Sequence, residues 1–305
     1  MKTILVTGRT GQVGRELVRC LEPLGRVIAT GRQDLDLTSP DSIRSAVRRH
    51  APDIIVNAAA YTAVDKAESE PDLAMRINAV APGVLAEEAK RANALLVHYS
   101  TDYIFDGLLG RPYVEEDAPN PLSVYGKTKL EGERAIAAVG GAFLILRTSW
   151  IYSNQPPNFV LTLLELAQEK RELAVVDDQV GSPTWGRSLA EATAQVLRKP
   201  ERASEQRGVY HLSASGYATR YVFAKRILEL AREIAPTLDS ALLIRPVPTT
   251  AYPLPAQRPL NAAISKEKLY RIFGIRMSDW DLELKRSLPH IIQRVIDRNG
   301  ARATN

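Results

Sequence analysis

The chain has little of what builds disulfide scaffolds, metal clusters or membrane spans. It has one cysteine, Cys20, which excludes an intrachain disulfide and which we expect to pack within a helix. No apolar run approaches the ~18 residues that a membrane span needs, and no signal peptide precedes the first predicted strand. These absences predict a cytoplasmic protein with no membrane partner. The four histidines are scattered, without the spacing of a metal site, at His50, His98, His211 and His290.

An excess of charge of one sign is also missing. Lys and Arg together number 40 against 35 Asp and Glu, a net charge of +5, and no dense basic run occurs. Proteins that bind nucleic acid concentrate their basic residues, so we do not expect a nucleic-acid partner. The mild positive excess suits a small anionic ligand such as a nucleotide.

Apolar segments of strand length alternate with helical segments in the first half of the chain. This alternation predicts a parallel sheet with helices on both faces, the doubly wound or Rossmann fold of the α/β class. We predict a dinucleotide-binding domain over residues 1–150 and a smaller, interwoven C-terminal domain over 151–305 that mainly binds substrate. Segments near 186–225 are expected to return to the first sheet. The predicted strands are residues 2–7, 26–30, 53–57, 95–100, 142–147 and 208–213.

A glycine pattern follows the first predicted strand and opens a helix. Gly8 permits a tight turn, Gly11 lets the backbone approach a pyrophosphate, and Gly14 lets the helix pack on the strand. The free amides at the start of such a helix attract phosphate. The pattern therefore predicts a dinucleotide site.

Residues after the second predicted strand bear on the choice between NAD and NADP. A carboxylate about 20 residues beyond the turn binds the ribose of NAD, and Asp34 has about that spacing. Arg32 lies nearer the strand end, where a guanidinium pairs with the 2′-phosphate of NADP, and Arg9 adds positive charge within the turn. Asp36 and Leu37 are expected to flank the adenine. We predict NADP(H), with NAD(H) also accepted.

A tyrosine and a lysine stand where a proton donor to a carbonyl is expected. Tyr125 and Lys129 are four residues apart in a predicted helix, so they project from one face. The positive charge is predicted to lower the pKa of Tyr125 below its usual ~10. Thr101 follows a predicted strand, at the end where α/β sheets bind ligands. Ser100 is the competing hydroxyl and is expected to point to the opposite side.

Together these side chains predict hydride transfer from a reduced nicotinamide to a carbonyl carbon. Tyr125 donates a proton to the carbonyl oxygen, and Thr101 orients that oxygen. Lys129 also holds the nicotinamide ribose, while the cofactor carries the difficult chemistry.

Longer segments are specific beyond what a fold requires, namely residues 10–14, 56–60, 62–68, 98–103, 124–130, 147–150, 178–179, 183–184 and 258–259. On these segments the chain resembles the extended short-chain dehydrogenase/reductases, and within them the dTDP-4-dehydrorhamnose reductases. The resemblance implies reduction of the 4-keto group of dTDP-4-dehydro-L-rhamnose to dTDP-L-rhamnose with NADPH or NADH. As in some members of the family, it also implies a homodimer with Mg²⁺ bridging acidic residues, although no ligand for that ion is assigned here.

The resemblance implies roles for individual residues, with Thr101, Tyr125 and Lys129 as the catalytic set. Arg258 is implied to meet the diphosphate and Trp150 the sugar; a surface ion pair and a core position are their alternatives. The implied substrate contacts are Val64, Thr101, Asp102, Tyr125, Trp150 and Arg258. The implied cofactor contacts are Gly8, Thr10, Gly11, Gln12, Val13, Gly14, Asp36, Leu37, Ala58, Ala60, Thr62, Tyr125 and Lys129.

Two other functions fit parts of the pattern. A nucleotide-sugar dehydratase or epimerase uses the same turn and the same Tyr/Lys pair. Dehydratases place an Asp-Glu pair after the threonine, however, and here Tyr103 follows Asp102. The second alternative is a non-catalytic dinucleotide-binding regulatory subunit of a methionine adenosyltransferase, against which the complete catalytic set argues.

Overall fold

The computed structural model describes residues 1–236 and 242–303, with side chains as far as residue 297. Residues 237–241, 304 and 305 of the predicted second domain lie outside the described part. The strands in chain order are β1 (Lys2–Thr7), β2 (Gly25–Thr30), β3 (Ile54–Asn57), β4 (Leu95–Thr101), β5 (Phe143–Thr148), β6 (Ile151–Tyr152), β7 (Glu172–Val176), β8 (Val180–Gly181), β9 (Thr184–Trp185), β10 (Gly208–His211), β11 (Ala218–Thr219) and β12 (Leu243–Val247).

The helices flank the strands and vary widely in length. A π-helical stretch, Arg76–Val80, joins two of them, and short 3-10 turns lie at Glu22–Leu24, Asp102–Ile104 and Thr249–Ala251. The α-helices are α1 (Gln12–Leu21), α2 (Pro40–His50), α3 (Val64–Ala67), α4 (Pro71–Met75), α5 (Ala81–Arg91), α6 (Val124–Val139), α7 (Phe159–Glu169), α8 (Gly186–Leu197), α9 (Pro200–Glu205), α10 (Arg220–Ile234), α11 (Glu267–Phe273) and α12 (Trp280–Ala303).

A six-stranded sheet organises the first part of the molecule. Its order is β10, β5, β4, β3, β1, β2, and all neighbouring pairs are parallel. The chain moves from β1 to β2 on one side and through β3, β4 and β5 on the other. A crevice therefore lies between β1 and β3 at their carboxyl ends, where such sheets bind ligands. The predicted doubly wound parallel sheet is confirmed.

Helices cover both faces of this sheet, which explains why its strands read as nearly continuous apolar runs. On one face Val6 and Val97 belong to a core shared with α1 and α8. On the other face Leu5 and Leu96 belong to a core shared with α2 and α5.

A second core lies among α7, α10 and α12. Tyr152 and Phe223 are fully buried there, and the short strand pairs β7 with β12, β8 with β11 and β6 with β9 surround it. We propose that this core defines the predicted substrate domain, because α8 and β10 pack with the first sheet instead. No helix in the described part of the chain is long and apolar enough to span a lipid bilayer.

Candidate active site

The glycine turn between β1 and α1 is closed by backbone contacts that admit no side chain. Gly8 has a φ of +75°, and a Cβ there would meet the backbone of Ala59 at 2.9 Å. A Cβ on Gly14 would lie 2.0 Å from the carbonyl oxygen of Gly8. Gly11 precedes the helix without a side-chain cap, so the first amides of α1 are free for an anion. This cradle fits the pyrophosphate of a dinucleotide.

The residues at the end of β2 are arranged around Arg9. The Asp34 carboxylate accepts the Gly31 N–H at 2.9 Å and lies 3.3 Å from the Arg9 guanidinium. Arg9 also packs against Gly31 and donates to the carbonyl of Ala29, so its charge stands at the strand end. Arg9 and Arg32 are both exposed, so both remain candidate partners for a 2′-phosphate, and Arg9 is the one that contacts the end of β2.

Asp36 and Leu37 lie just beyond. The Asp36 carboxylate accepts the backbone N–H and the hydroxyl of Thr38, each at 2.8 Å. These hydrogen bonds, the backbone one first, lower the pKa of Asp36. Leu37 packs at the margin of the core on this face of the sheet.

The loop after β3 carries Ala58, Ala60 and Thr62 and is held at both ends. The Ala59 N–H donates to the Thr7 hydroxyl at 3.3 Å. Buried Asn78, in the π-helical stretch, accepts the Tyr61 N–H at 2.8 Å and donates to the Tyr61 carbonyl at 3.0 Å. It also reaches Thr128 of α6 at 3.2 Å, so this one amide joins the loop to the helix that carries the Tyr/Lys pair. Nothing local in the sequence indicated that role, although single-turn π-helices frequently mark functional sites.

Helix α6 begins at a serine cap, which fixes where its first turn lies. The Ser123 hydroxyl accepts the Gly126 N–H at 3.2 Å, as capping serines do. Tyr125 is therefore in the first turn, next to the carboxyl end of β4, with its phenol near enough to the Thr101 side chain for that hydroxyl to lower its pKa. The ring meets Tyr103 edge-on, with centroids 5.9 Å apart.

The pKa of Tyr125 moves opposite to the prediction. Burial raises it above its ordinary value, the Thr101 hydrogen bond opposes that rise, and the nearby Asp102 carboxyl adds to it. The predicted lowering by Lys129 is wrong for this arrangement because the ammonium faces β4. Lys129 Nζ donates to the Tyr99 carbonyl at 2.6 Å and lies 3.1 Å from His98 Nε2. Burial lowers the pKa of Lys129 to about 8.

The two neighbouring hydroxyls at the end of β4 point in different directions. Ser100 donates to the Glu133 carboxylate at 2.5 Å, on the face covered by α6, where Glu133 is also ion-paired with buried Arg147. Thr101 donates to Asp102 at 3.1 Å and accepts the Tyr103 N–H at 3.2 Å. Thr101 therefore supplies the hydroxyl beside Tyr125, and Ser100 is committed to the interior.

Asp102 is a buried carboxyl behind the reacting hydroxyls. It is 2% exposed and accepts the Ser149 hydroxyl at 2.7 Å. Burial raises its pKa to about 6, against the lowering effect of Ser149 and Thr101. At neutral pH a carboxylate here adds negative charge beside the Tyr125 phenol.

The opposite side of the site is built by Trp150 and two arginines. Trp150 has a φ of +42°, uncommon for a bulky residue, and its ring fills the space where a side chain on Gly181 would be. The Arg220 guanidinium lies 3.6 Å from the centre of that ring. Arg220 and Arg258 both lie close to the Tyr103 side chain.

Arg258 is also held by a carboxylate. Its two terminal nitrogens pair with the two oxygens of Asp65 at 3.0 and 2.7 Å. Asp65 lies in α3, directly after Val64, so the fold brings Val64, Arg258 and the Tyr103 ring to one side of the crevice. The ion-pair interpretation of Arg258 is thus seen in the structure, and the phosphate contact stays a prediction. Arg220 was not expected, since it is a lone basic residue at the start of α10 with no motif around it.

The cysteine thiol and the metal-ligating side chains form no further site in the described part of the chain. Burial raises the pKa of the Cys20 thiol to about 11, which suits the packing role expected of it. Among residues 1–236 and 242–303, no group of three or more His, Cys, Asp or Glu is placed to hold a metal ion.

Comparison with known proteins gives consistent matches over nearly the whole chain. Residues 1–292 match the family described as RmlD substrate binding domain. The chain is 46% identical over 289 residues to the dTDP-4-dehydrorhamnose reductase of Escherichia coli K12, covering 93% of this chain and 96% of that protein.

Solved structures agree with the sequence match. A dTDP-4-dehydrorhamnose reductase from Clostridium acetobutylicum superposes with a TM-score of 0.87 at 37% identity, over 95% of this chain and 99% of that one. The same enzyme from Bacillus anthracis, in complex with NADP, has a TM-score of 0.86 at 32% identity, over 94% and 98% of the two chains.

Proposed function

This chain belongs to the RmlD substrate-binding-domain family of dTDP-4-dehydrorhamnose reductases, and from that premise we propose that it reduces the 4-keto group of dTDP-4-dehydro-L-rhamnose to give dTDP-L-rhamnose. The observation that carries the proposal is the position of the Tyr125 phenol beside Thr101 at the carboxyl end of β4, with Lys129 one turn further along α6. The glycine cradle lies at the end of β1 in the same sheet.

The protein's own groups divide the reaction between them. A reduced nicotinamide bound at the cradle supplies the hydride. Tyr125 donates its phenolic proton to the carbonyl oxygen as negative charge develops there, and Thr101 orients that oxygen. Because burial raises the pKa of Tyr125, the phenol is held protonated and ready to donate. The Lys129 ammonium has three protons, of which two meet Tyr99 and His98, leaving one for the cofactor ribose.

The substrate is expected to lie against Trp150, Val64 and Asp102, with its diphosphate toward Arg220 and Arg258. Guanidinium groups bind phosphate through parallel hydrogen bonds, and Arg220 is already oriented by the Trp150 ring. Asp65 holds Arg258 at the crevice, so a diphosphate would share that arginine with a carboxylate.

We propose NADPH as the preferred cofactor. Arg9 stands at the end of β2, and its charge favours a 2′-phosphate. The carboxylate that would bind a free ribose hydroxyl, Asp34, already accepts the Gly31 N–H and pairs with Arg9. The remaining predicted cofactor contacts lie in the cradle, beyond β2 and in the loop after β3, and they are Thr10, Gln12, Val13, Asp36, Leu37, Ala58, Ala60 and Thr62.

The magnesium-bridged homodimer, like the cytoplasmic location, stays an expectation from the sequence. Sedimentation velocity with and without EDTA tests the magnesium-bridged dimer. A dimer that dissociates in EDTA supports it. A monomer in 5 mM MgCl₂, about the concentration that saturates weak carboxylate sites, contradicts it.

The absorbance of reduced nicotinamide, followed with the dTDP-4-keto-6-deoxy sugar as substrate, tests the proposed reaction. Wild type should oxidise NADPH stoichiometrically, and Tyr125→Phe should lose roughly 10²-fold or more in kcat, as expected for a removed general acid. Tyr210→Phe is the matched control, because its hydroxyl donates to the Gln206 carbonyl at the far edge of the sheet.

The neighbouring hydroxyls give a second comparison in the same assay. Thr101→Val should lower kcat, whereas Ser100→Ala should leave the chemistry nearly unchanged because Ser100 faces Glu133. Cofactor binding without net oxidation by wild type would overturn the reductase assignment. That result would favour an epimerase or dehydratase, which regenerates its cofactor, or the regulatory alternative.

A further inference from the structure

A buried hydrogen-bonded chain runs behind the catalytic helix and ends on Lys129. The Thr7 hydroxyl lies 2.6 Å from Asn57 Oδ1, and Asn57 Nδ2 lies 2.9 Å from His98 Nδ1. His98 Nε2 in turn lies 3.1 Å from Lys129 Nζ. All four side chains are at most 2% exposed, so they have no water partner to exchange for one another.

The chain spans three strands and one helix. Thr7 ends β1, Asn57 ends β3, and His98 is its direct partner in β4, while Lys129 comes from α6. It therefore connects the start of the cofactor turn with the residue that is proposed to hold the cofactor ribose.

We propose that His98 is a positioning residue of the reductase, and that its two tautomers allow Lys129 to be hydrogen-bonded in both its charged and its neutral form. This inference rests on the proposed function for its catalytic meaning. Its structural part, a histidine tautomer that changes with the proton on Lys129, can be measured without turnover.

The inventory of donors and acceptors leads to this conclusion. In one order the Thr7 hydroxyl accepts the Ala59 N–H and donates its own proton to Asn57 Oδ1, and Asn57 Nδ2 faces His98. In that order Nδ1 of His98 accepts, and a neutral imidazole then carries its proton on Nε2. An Nε2–H can donate to Lys129 only when the lysine is an amine.

The charged lysine requires the opposite order. An ammonium must donate to Nε2, so the imidazole proton moves to Nδ1 and points at Asn57. The Asn57 amide satisfies it by turning its oxygen toward the ring and its nitrogen toward Thr7. The links from Thr7 to Lys129 therefore reverse together, with the Thr7 oxygen accepting from both Ala59 and Asn57, and both orders leave Lys129 paired at His98 and at the Tyr99 carbonyl.

The surroundings favour a neutral imidazole in both orders. Burial first, and then the Lys129 charge, lower the pKa of His98 well below its ordinary value.

Glu133 is the carboxylate on α6 that raises the pKa of Lys129, and it is already neutralised by Arg147 of β5. Asp102 lies beyond Tyr125, and the facing atom of Tyr99 is an uncharged carbonyl. His98 is thus the one titratable side chain in direct contact with Lys129 in the described part of the chain.

Two substitutions of His98 separate its contact with Asn57 from its contact with Lys129. His98→Asn keeps an amide near the Nδ1 position, toward Asn57, and removes the contact with Lys129. His98→Gln extends an amide toward the Nε2 position and so restores a partner for Lys129. His211→Asn is the matched control, because His211 is equally buried but contacts Arg147 and the Ser265 carbonyl.

The pH profile of kcat is the first readout. Its alkaline limb should report the loss of the Lys129 proton near pH 8 in wild type. The Lys129 ammonium makes a stronger hydrogen bond to His98 than the neutral amine does, so its loss in His98→Asn should lower the pKa of Lys129. The alkaline limb of the kcat profile should therefore move to lower pH by roughly one unit, which is about a tenfold loss of kcat at pH values above the limb. His98→Gln should return the limb toward its wild-type position, and His211→Asn should leave it in place.

Nitrogen NMR of the two His98 ring nitrogens, with ¹³Cε-lysine labelling to follow Lys129, is the second readout. As the pH rises through the Lys129 titration, the imidazole proton should move from Nδ1 to Nε2. A single tautomer throughout that titration would overturn the inference, as would a His98→Asn profile that superimposes on wild type. If wild type fails to reduce the dTDP sugar, the proposed function fails, and the NMR experiment still decides the tautomer exchange.

Discussion

The guanidinium of Arg220 lies over Trp150, with its central carbon 3.6 Å from the centre of the ring. The ring holds the cation without neutralising it, whereas Asp65 both holds and neutralises Arg258. Arg220→Met, which keeps an apolar chain over the ring, should therefore raise the KM for the dTDP sugar by roughly tenfold or more, the loss of one charge-assisted hydrogen bond. Steady-state kinetics with varied sugar measures this, and the Kd for NADPH should stay within about twofold.

A second arginine over a tryptophan provides the control for that experiment. Arg187 lies 5.6 Å from the Trp185 ring and pairs with Glu191 on its own helix. Arg187→Met should change neither constant. Equal KM effects from both variants would show that Arg220 acts only through general stability.

The positive charge beside the adenosine ribose is expected to come from Arg9. Arg9→Gln should raise the Kd for NADPH by roughly tenfold, because a guanidinium contact with the 2′-phosphate is lost, and should leave the Kd for NADH within about twofold. Arg32→Gln, at the position favoured by the sequence, should have the smaller effect, because Arg9 is the arginine that contacts the end of β2. Fluorescence titration of both cofactors measures the difference, and a larger effect at Arg32 would contradict the placement of Arg9.

The cofactor turn should tolerate no added methyl group at Gly14. A Cβ there would lie 2.0 Å from the Gly8 carbonyl oxygen, so Gly14→Ala must open the turn. Overpacking of this kind typically costs ~1–3 kcal/mol, and the distorted amides should weaken NADPH binding at least about tenfold. Gly110→Ala is the control, because nothing lies within 4 Å of its Cβ position. Thermal unfolding with and without NADPH measures both effects, and a normal NADPH-induced shift in Gly14→Ala would contradict this account.

Short-range patterns predicted the parts of the site that the backbone alone dictates. The glycine spacing led directly to the cradle, because the close approach of Gly14 to Gly8 needs only a strand, a turn and a helix. Alternation along β4 correctly separated Ser100 from Thr101, since neighbouring residues of a strand face opposite sides.

Packing between segments that are distant in the chain determined the features of the site that the sequence did not predict. The pKa of Tyr125 depends on how deeply α6 packs and on the direction of Lys129, which His98 and Tyr99 determine from another element. Arg220 acquires meaning only when α10 is brought against Trp150. The two-residue strands around the second core gave no periodic signal, because alternation needs at least four residues to be seen.

Glu283 makes the stability of the fold depend on pH in a direction opposite to most carboxylates. It is 1% exposed in α12, where burial raises its pKa from 4.5 to about 7 against the opposing N–H of Trp185. The folded state therefore binds this proton more tightly than the unfolded chain. That stabilisation is complete below pH 4.5 and is lost as the pH rises through 7, a change of about 3 kcal/mol. Glu283→Gln cannot ionise, so its free energy of unfolding relative to wild type should rise across this window in urea titrations. Glu172→Gln, at an exposed carboxylate, should show no such trend. If the free energies of unfolding of Glu283→Gln and wild type differ by the same amount at every pH, ionisation of Glu283 is not the cause.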